Sequence, residues 1–113
     1  MAAAPQPSSG TPYDGNWKGT ANGSGRYVIG FACSDAEVTL TIRDGRVTQG
    51  AFKPVIGPNA GRQYAVAGGI DASGTFVGTM DTTFVSAPVK GNRIVLSFFR
   101  PPCYYTLTLN HSS

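Results

Sequence analysis

What the chain is short of limits it first. It holds one histidine, His111, so it can build neither a Ser-His or Cys-His couple nor a cluster of histidine metal ligands. Leu, Glu, Lys, Gln and Met total 13 residues, against 25 for Val, Ile and Thr, a balance that favours strands over helices. No apolar run approaches the roughly 18 residues of a membrane-spanning helix. Charged residues make up 13%, about half the usual share. Nine basic residues against six acidic give +3, and the basic ones are scattered beside turns: Arg43 and Arg46, Arg62, Lys90 and Arg93, Arg100. No arginine-rich stripe or aromatic-basic platform suited to nucleic acid appears. Gly23-Ser24-Gly25 is too short for a phosphate-binding loop and lacks the strand–helix context. Of the carboxylates, Asp14, Asp44 and Asp71 stand at turns, and Asp35, Glu37 and Asp81 read as solvated rim acids. The expectation is a protein that is not an enzyme and uses no metal or cofactor.

What is present is strand rhythm. With 113 residues the chain is one domain with room for one core. Val38, Leu40 and Ile42 alternate with Thr39, Thr41 and Arg43, a period of two. Asp44-Gly45 then signals a hairpin, and Gly91-Asn92 signals another. Tyr105, Leu107 and Leu109 alternate in the last run. Strands are expected at 13–22, 36–43, 46–53, 62–70, 75–80, 83–90, 93–100 and 103–110. Eight short antiparallel strands in a meander close an up-and-down β-barrel, with a two-sheet sandwich as the competing all-β arrangement. A single barrel domain over 13–110 is expected, preceded by a flexible Ala/Pro/Ser/Gly-rich tail at 1–12.

Strand parity then places the two cysteines. Strands 36–43 and 103–110 run the same way and start at the same rim, so Cys33 and Cys103 meet there. One more or one fewer full strand between them would separate the two beyond bridging distance. An even cysteine count in a small strand-rich chain favours a disulfide and an oxidising compartment, against the alternative of two buried free thiols. Ala2-Ala3-Ala4 reads as the neighbourhood of a cleaved export signal, with Met1 added for expression. The cysteine rim also carries the long connections 23–35 and 54–61, and long loops on a rigid scaffold are where binding usually resides.

Two features bear on function. The run Asn22–Cys33 (NGSGRYVIGFAC) is too apolar for a solvated loop. It either bends over the barrel mouth, or continues the first strand through a bulge at Gly23 or Gly25, or offers an apolar ridge to a protein partner or a second copy. Trp17, on the first strand, is either core or the floor of a ligand pocket.

DGNWKGT (14–20), VTLTIRDGRVTQG (38–50) and CYYTLTL (103–109) resemble small exported bacterial β-barrel domains with Asp-Gly hairpins and a disulfide to the last strand. Among these, Gly23-Ser24-Gly25-Arg26-Tyr27 resembles the Ser-Gly motif of the periplasmic inhibitors of c-type lysozyme, and Lys90-Gly91 matches a fragment of their second motif. That resemblance implies a periplasmic or secreted binding protein whose Ser24, Arg26, Tyr27 and Lys90 meet a lysozyme-type hydrolase. Parity puts Ser24 and Lys90 at opposite rims. GNWKGT followed by GSG is also similar to the first strands of avidin-like barrels, which implies a carrier of a small apolar ligand. A structural envelope domain is the third reading.

Overall fold

A computed structural model describes residues 11–25, 33–55, 60–101 and 103–112. Within them the chain forms β1 (Gly15–Ser24), β2 (Ala36–Arg43), β3 (Arg46–Pro54), β4 (Tyr64–Ile70), β5 (Thr75–Met80), β6 (Thr83–Lys90), β7 (Arg93–Arg100) and β8 (Cys103–Ser112). Each strand pairs antiparallel with the next, and β8 returns to pair with β1, closing the barrel. Five of the eight lie within a residue of their expected bounds at both ends, and β4 and β8 match at one end. β1 is displaced at both ends, and β8 runs on past its expected end. β1 runs from Gly15 through Ser24 rather than from Tyr13 to Asn22, because Gly23 and Ser24 pair with Tyr105 and Tyr104. β8 continues through His111 and Ser112, so His111 belongs to the sheet and not to a tail.

Alternation decides which side chains fill the lumen. Inward positions give Trp17 and Ala21 on β1, Val38, Leu40 and Ile42 on β2, and Leu107 and Leu109 on β8, all buried. Phe52, Phe98 and Tyr105 meet in the upper half of the barrel, the half at the cysteine rim. Tyr105 is edge-on to Phe52 at 5.0 Å and stacked on Phe98 at 5.3 Å, geometries that aromatic quadrupoles favour. Glycine admits the closest strand approach: a Cβ on Gly19 would stand 1.7 Å from the Thr108 carbonyl oxygen on β8.

The lower rim is tied by the segment before β1. Asp44 and Gly45 both have positive φ (52° and 78°), as a tight hairpin between right-twisted strands requires. Their amides donate to the Asp14 carboxylate at 2.8 and 3.0 Å, and the Thr11 hydroxyl donates to it at 2.6 Å. Thr11 and the two hairpin amides hold the Asp14 carboxyl at about 2, below its ordinary 3.8 and against the cost of burial. The first two strands are thus clasped where the chain enters.

The upper rim holds the Cys33–Cys103 disulfide, with Cα atoms 5.8 Å apart, as parity requires. The expected tail lies outside the described residues up to position 10.

Two measurements check this frame. Replacing both cysteines with serine opens a 70-residue loop and should lower unfolding free energy by about 4 kcal/mol on the chain-entropy account, read from denaturant midpoints. A depressed carboxyl pKa gives stability that is complete above the unfolded value and lost as pH falls through the folded one. Stability should therefore fall between about pH 4 and about pH 2, and Asp14→Asn should flatten that acid limb while lowering stability at neutral pH.

Candidate functional site

The resemblance directs attention to the upper rim. Ser24 closes β1 there, exposed and opposite Tyr104. It therefore stands at the end of a paired strand rather than in a free loop. Immediately beyond, the Cys33 amide donates to the Gly25 carbonyl at 2.9 Å, so the two ends of segment 26–32 are bonded to each other. The Gly23 amide donates to the Asp35 carboxylate at 3.2 Å. Strand pairing, disulfide and these bonds make a fixed base from which residues 26–32 depart. Arg26 and Tyr27, the other rim candidates, lie outside the described residues.

Lys90 ends β6 at the other rim, opposite Arg93 in the register. Strands of this length put Ser24 and Lys90 roughly 20 Å apart along the axis. The four candidates therefore do not form one constellation. The three rim acids do not gather either. Asp35 is bonded to Gly23, Glu37 lies opposite Thr20 and Lys53, and Asp81 is across the barrel beside Arg100.

The lumen is occupied by side chains. Phe76, Phe98, Tyr105, Leu40 and Leu107 are all buried, and Trp17 is 1% exposed. Trp17 stacks flat on His111, ring centroids 4.4 Å apart, and its Nε1 donates to the Tyr13 carbonyl at 2.8 Å. His111 Nε2 in turn bonds the Asp14 carbonyl oxygen at 2.8 Å. Trp17 thus seals the lower mouth and is no pocket floor.

The upper mouth is closed by a cluster that the sequence reading missed. Arg100, inward by alternation on β7, lies 4.1 Å over the Tyr64 ring and donates to Asp81 at 3.2 Å. Burial disfavours its charge, but the bonds to Tyr64 and Asp81 outweigh that and raise its pKa. Asp81 adopts a positive φ of 58°, which aims the β5–β6 turn back toward Arg100.

The outer wall carries a second unanticipated feature. Phe84, Tyr104, Val95 and Phe99 are 69%, 62%, 50% and 43% exposed, and Phe99 packs on Tyr104 at 4.5 Å. Below the three aromatics, Pro88, Lys90, Asn92, Arg93, Val95 and Asn110 line a groove of about 600 Å³.

Comparison with family models, with curated proteins and with solved structures finds no match to this chain. The disulfide accords with a non-reducing compartment. No helix among the described residues is long and apolar enough to cross a membrane.

A filled lumen predicts its own response to truncation. Leu107→Ala should cost about 2–5 kcal/mol and open an apolar cavity that the parent lacks. Benzene should then raise the melting temperature of the variant and leave the parent unchanged in a thermal melt.

Proposed function

We propose that the protein is an exported binding protein, periplasmic or secreted, that acts from its surface and holds no ligand in its barrel. The partner we propose is a hydrolase of the c-type lysozyme class, its cleft occluded by the upper rim. The observation that carries the surface reading is the packed lumen: Trp17, Phe76, Tyr105 and Leu107 occupy the volume a carrier would leave to its cargo. That favours recognition by rim or wall over the avidin-like alternative. The identity of the partner rests on the Gly23–Tyr27 resemblance and on chemical fit.

An acidic cleft shaped for an extended sugar chain accepts a narrow projection bearing hydroxyl and cationic groups. Ser24, at the rim that carries the disulfide, and Arg26 and Tyr27, which follow it in sequence, are the residues that would supply those groups. Arg26 pairs with a cleft carboxylate as a charge-assisted fork, and Tyr27 buries a large rigid surface at low entropic cost. The ends from which the segment departs, Gly25 and Cys33, are bonded to each other, which lowers the entropic cost of presenting it to a partner. The positive net charge of the chain opposes long-range approach to a basic lysozyme, so short-range fit supplies the affinity.

Inhibition constants against an animal c-type lysozyme lysing bacterial cell walls test this. Arg26→Ala and Tyr27→Ala should each weaken inhibition by on the order of thirtyfold, about 2 kcal/mol, with little change in melting temperature. Absence of inhibition by the parent rejects the partner. Loss confined to Lys90→Ala retains the partner and moves the site to the lower rim.

A further inference from the structure

The barrel is closed, yet one of its seams is barely stitched. β6 and β7 are eight residues each, but their register consists of Val89↔Ile94 and Lys90↔Arg93 alone. By contrast β7 and β8 pair along the whole of β7. The cause lies in the next position. The Val89 amide donates to Gly74, so Val89 faces β5, and by alternation Lys90, Pro88, Ser86 and Phe84 turn their backbones toward β7. The His111 amide donates to the Asn92 carbonyl, so Asn92 faces β8, and Arg93, Val95, Ser97 and Phe99 face β6. After Lys90↔Arg93 the next ladder pair would be Pro88 with Val95, and proline has no N–H to give. The ladder stops there. Above it, two runs of backbone face each other with no further register pair.

The side chains around this seam have a consistent character. The walls of β6, β7, β8 and β1 contain no carboxylate at all: no Asp or Glu occurs at 15–24 or after Asp81. The cations on those walls include a row in register, Lys90, Arg93 and, beyond Asn110, Lys18. No ion pair is formed by these three among the described residues. Higher on the same walls stand the exposed Phe84, Phe99 and Tyr104, about 20 Å from the cation row by strand rise, with the exposed Val95 between them at about 7 Å from Arg93.

We propose that this seam is a docking surface for an extended acidic–apolar peptide segment of a partner protein. It is distinct from the rim and independent of the lysozyme reading. Backbone groups above Pro88, which face across the seam with no register pair, suit pairing with another peptide backbone. The exposed aromatics take alternate apolar side chains of such a strand, and Lys90 and Arg93, flanking the 600 Å³ groove, take its carboxylates. A second copy of this chain fits worse, since isologous contact would set two acid-free cationic walls against each other.

The probe is a short soluble peptide that carries, on one face of an extended strand with serine between, glutamates in one half and valines in the other, added to the intact disulfide-bonded protein. Its lysine–valine counterpart and polygalacturonate, a polyanion without amides, serve as comparisons. The glutamate–valine peptide should bind and the lysine–valine peptide should not, and binding should slow amide exchange at Ser86 and Ser97. Lys90→Gln combined with Arg93→Gln should weaken it by on the order of tenfold. Pro88→Val supplies an N–H that can bond the Val95 carbonyl and carry the ladder upward, so it should slow exchange at Ser86 and Ser97 in the free protein and reduce peptide binding with no charge altered. If that variant misfolds, the charge variants still decide. No binding of the glutamate–valine peptide overturns the proposal. So does equal binding of polygalacturonate without amide protection, which marks a general polyanion surface, and so does binding indifferent to Lys90 and Arg93. A concentration-dependent dimer that protects the same amides overturns it in favour of a second copy.

Discussion

Closure between β1 and β8 is the constraint on which the rest depends. These strands come from opposite ends of the chain, so their pairing closes the longest loop in the molecule and contributes to folding only after that entropy is lost. The seam is built accordingly. It pairs without interruption from Asn16↔Ser112 to Ser24↔Tyr104. It is drawn tight where Gly19 lets the Thr108 carbonyl approach, and it is held at both ends. At the upper end Cys103 opens β8 with a bond to Cys33; at the lower end His111 of β8 stacks on Trp17 of β1. Reinforcement falls where contact order is highest. The sparsest ladder, β6 with β7, belongs to a local hairpin whose two-residue turn brings the strands together at small entropic cost.

The two mouths follow one rule with different chemistry. Alternation carries inward-pointing positions to the ends of the strands, where the lumen meets water and a purely apolar side chain gains less. Arg100 fills such a position above and His111 below. Each spends its apolar body on an aromatic ring, Tyr64 or Trp17, and its polar atoms on an oxygen at the rim, Asp81 or the Asp14 carbonyl. Asp14 also caps the β2–β3 hairpin with its carboxylate, so the lower plug and the lower clasp share a residue. A polar residue at an inward parity is therefore no defect in the pattern but the way each end is sealed.

That rule also explains what was legible in the sequence. Alternation at Val38–Ile42 and Tyr105–Leu109, with Asp44-Gly45 and Gly91-Asn92 between runs, was enough for strand count and order, and count alone put Cys33 and Cys103 on one rim. The ends were less readable. Gly23 and Ser24 look like turn residues, and only the partner strand shows that they are paired; His111 looks like a tail until Trp17 is placed beside it. Arg100 and Asp81 were each visible as charges, but they lie 19 positions apart and meet only through the barrel. Pro88 was in plain view inside an expected strand. Its meaning depended on whether its nitrogen faced β5 or β7, which no periodicity of side chains reveals. The rim candidates came from resemblance, and Lys90 stands far from Ser24 for the same topological reason that unites the cysteines.

A closed barrel is the arrangement that abolishes exposed strand edges, so reopening one is costly to solubility unless it is guarded. Here the guards are readable. Proline and a lysine stand on the edge itself, and Arg93 faces the lysine, which are the devices that deter edge-to-edge pairing. Yet they occupy only the lower end, and every side chain on the surrounding walls that could have supplied an opposing charge is absent. An edge guarded by one sign of charge does not reject all strands. It rejects its own kind, because two copies bring cation against cation, and admits strands of the other sign. On the docking proposed for this seam, the residues that disfavour pairing with a second copy also set the charge of the partner strand, and selectivity follows from the guard without any further contact.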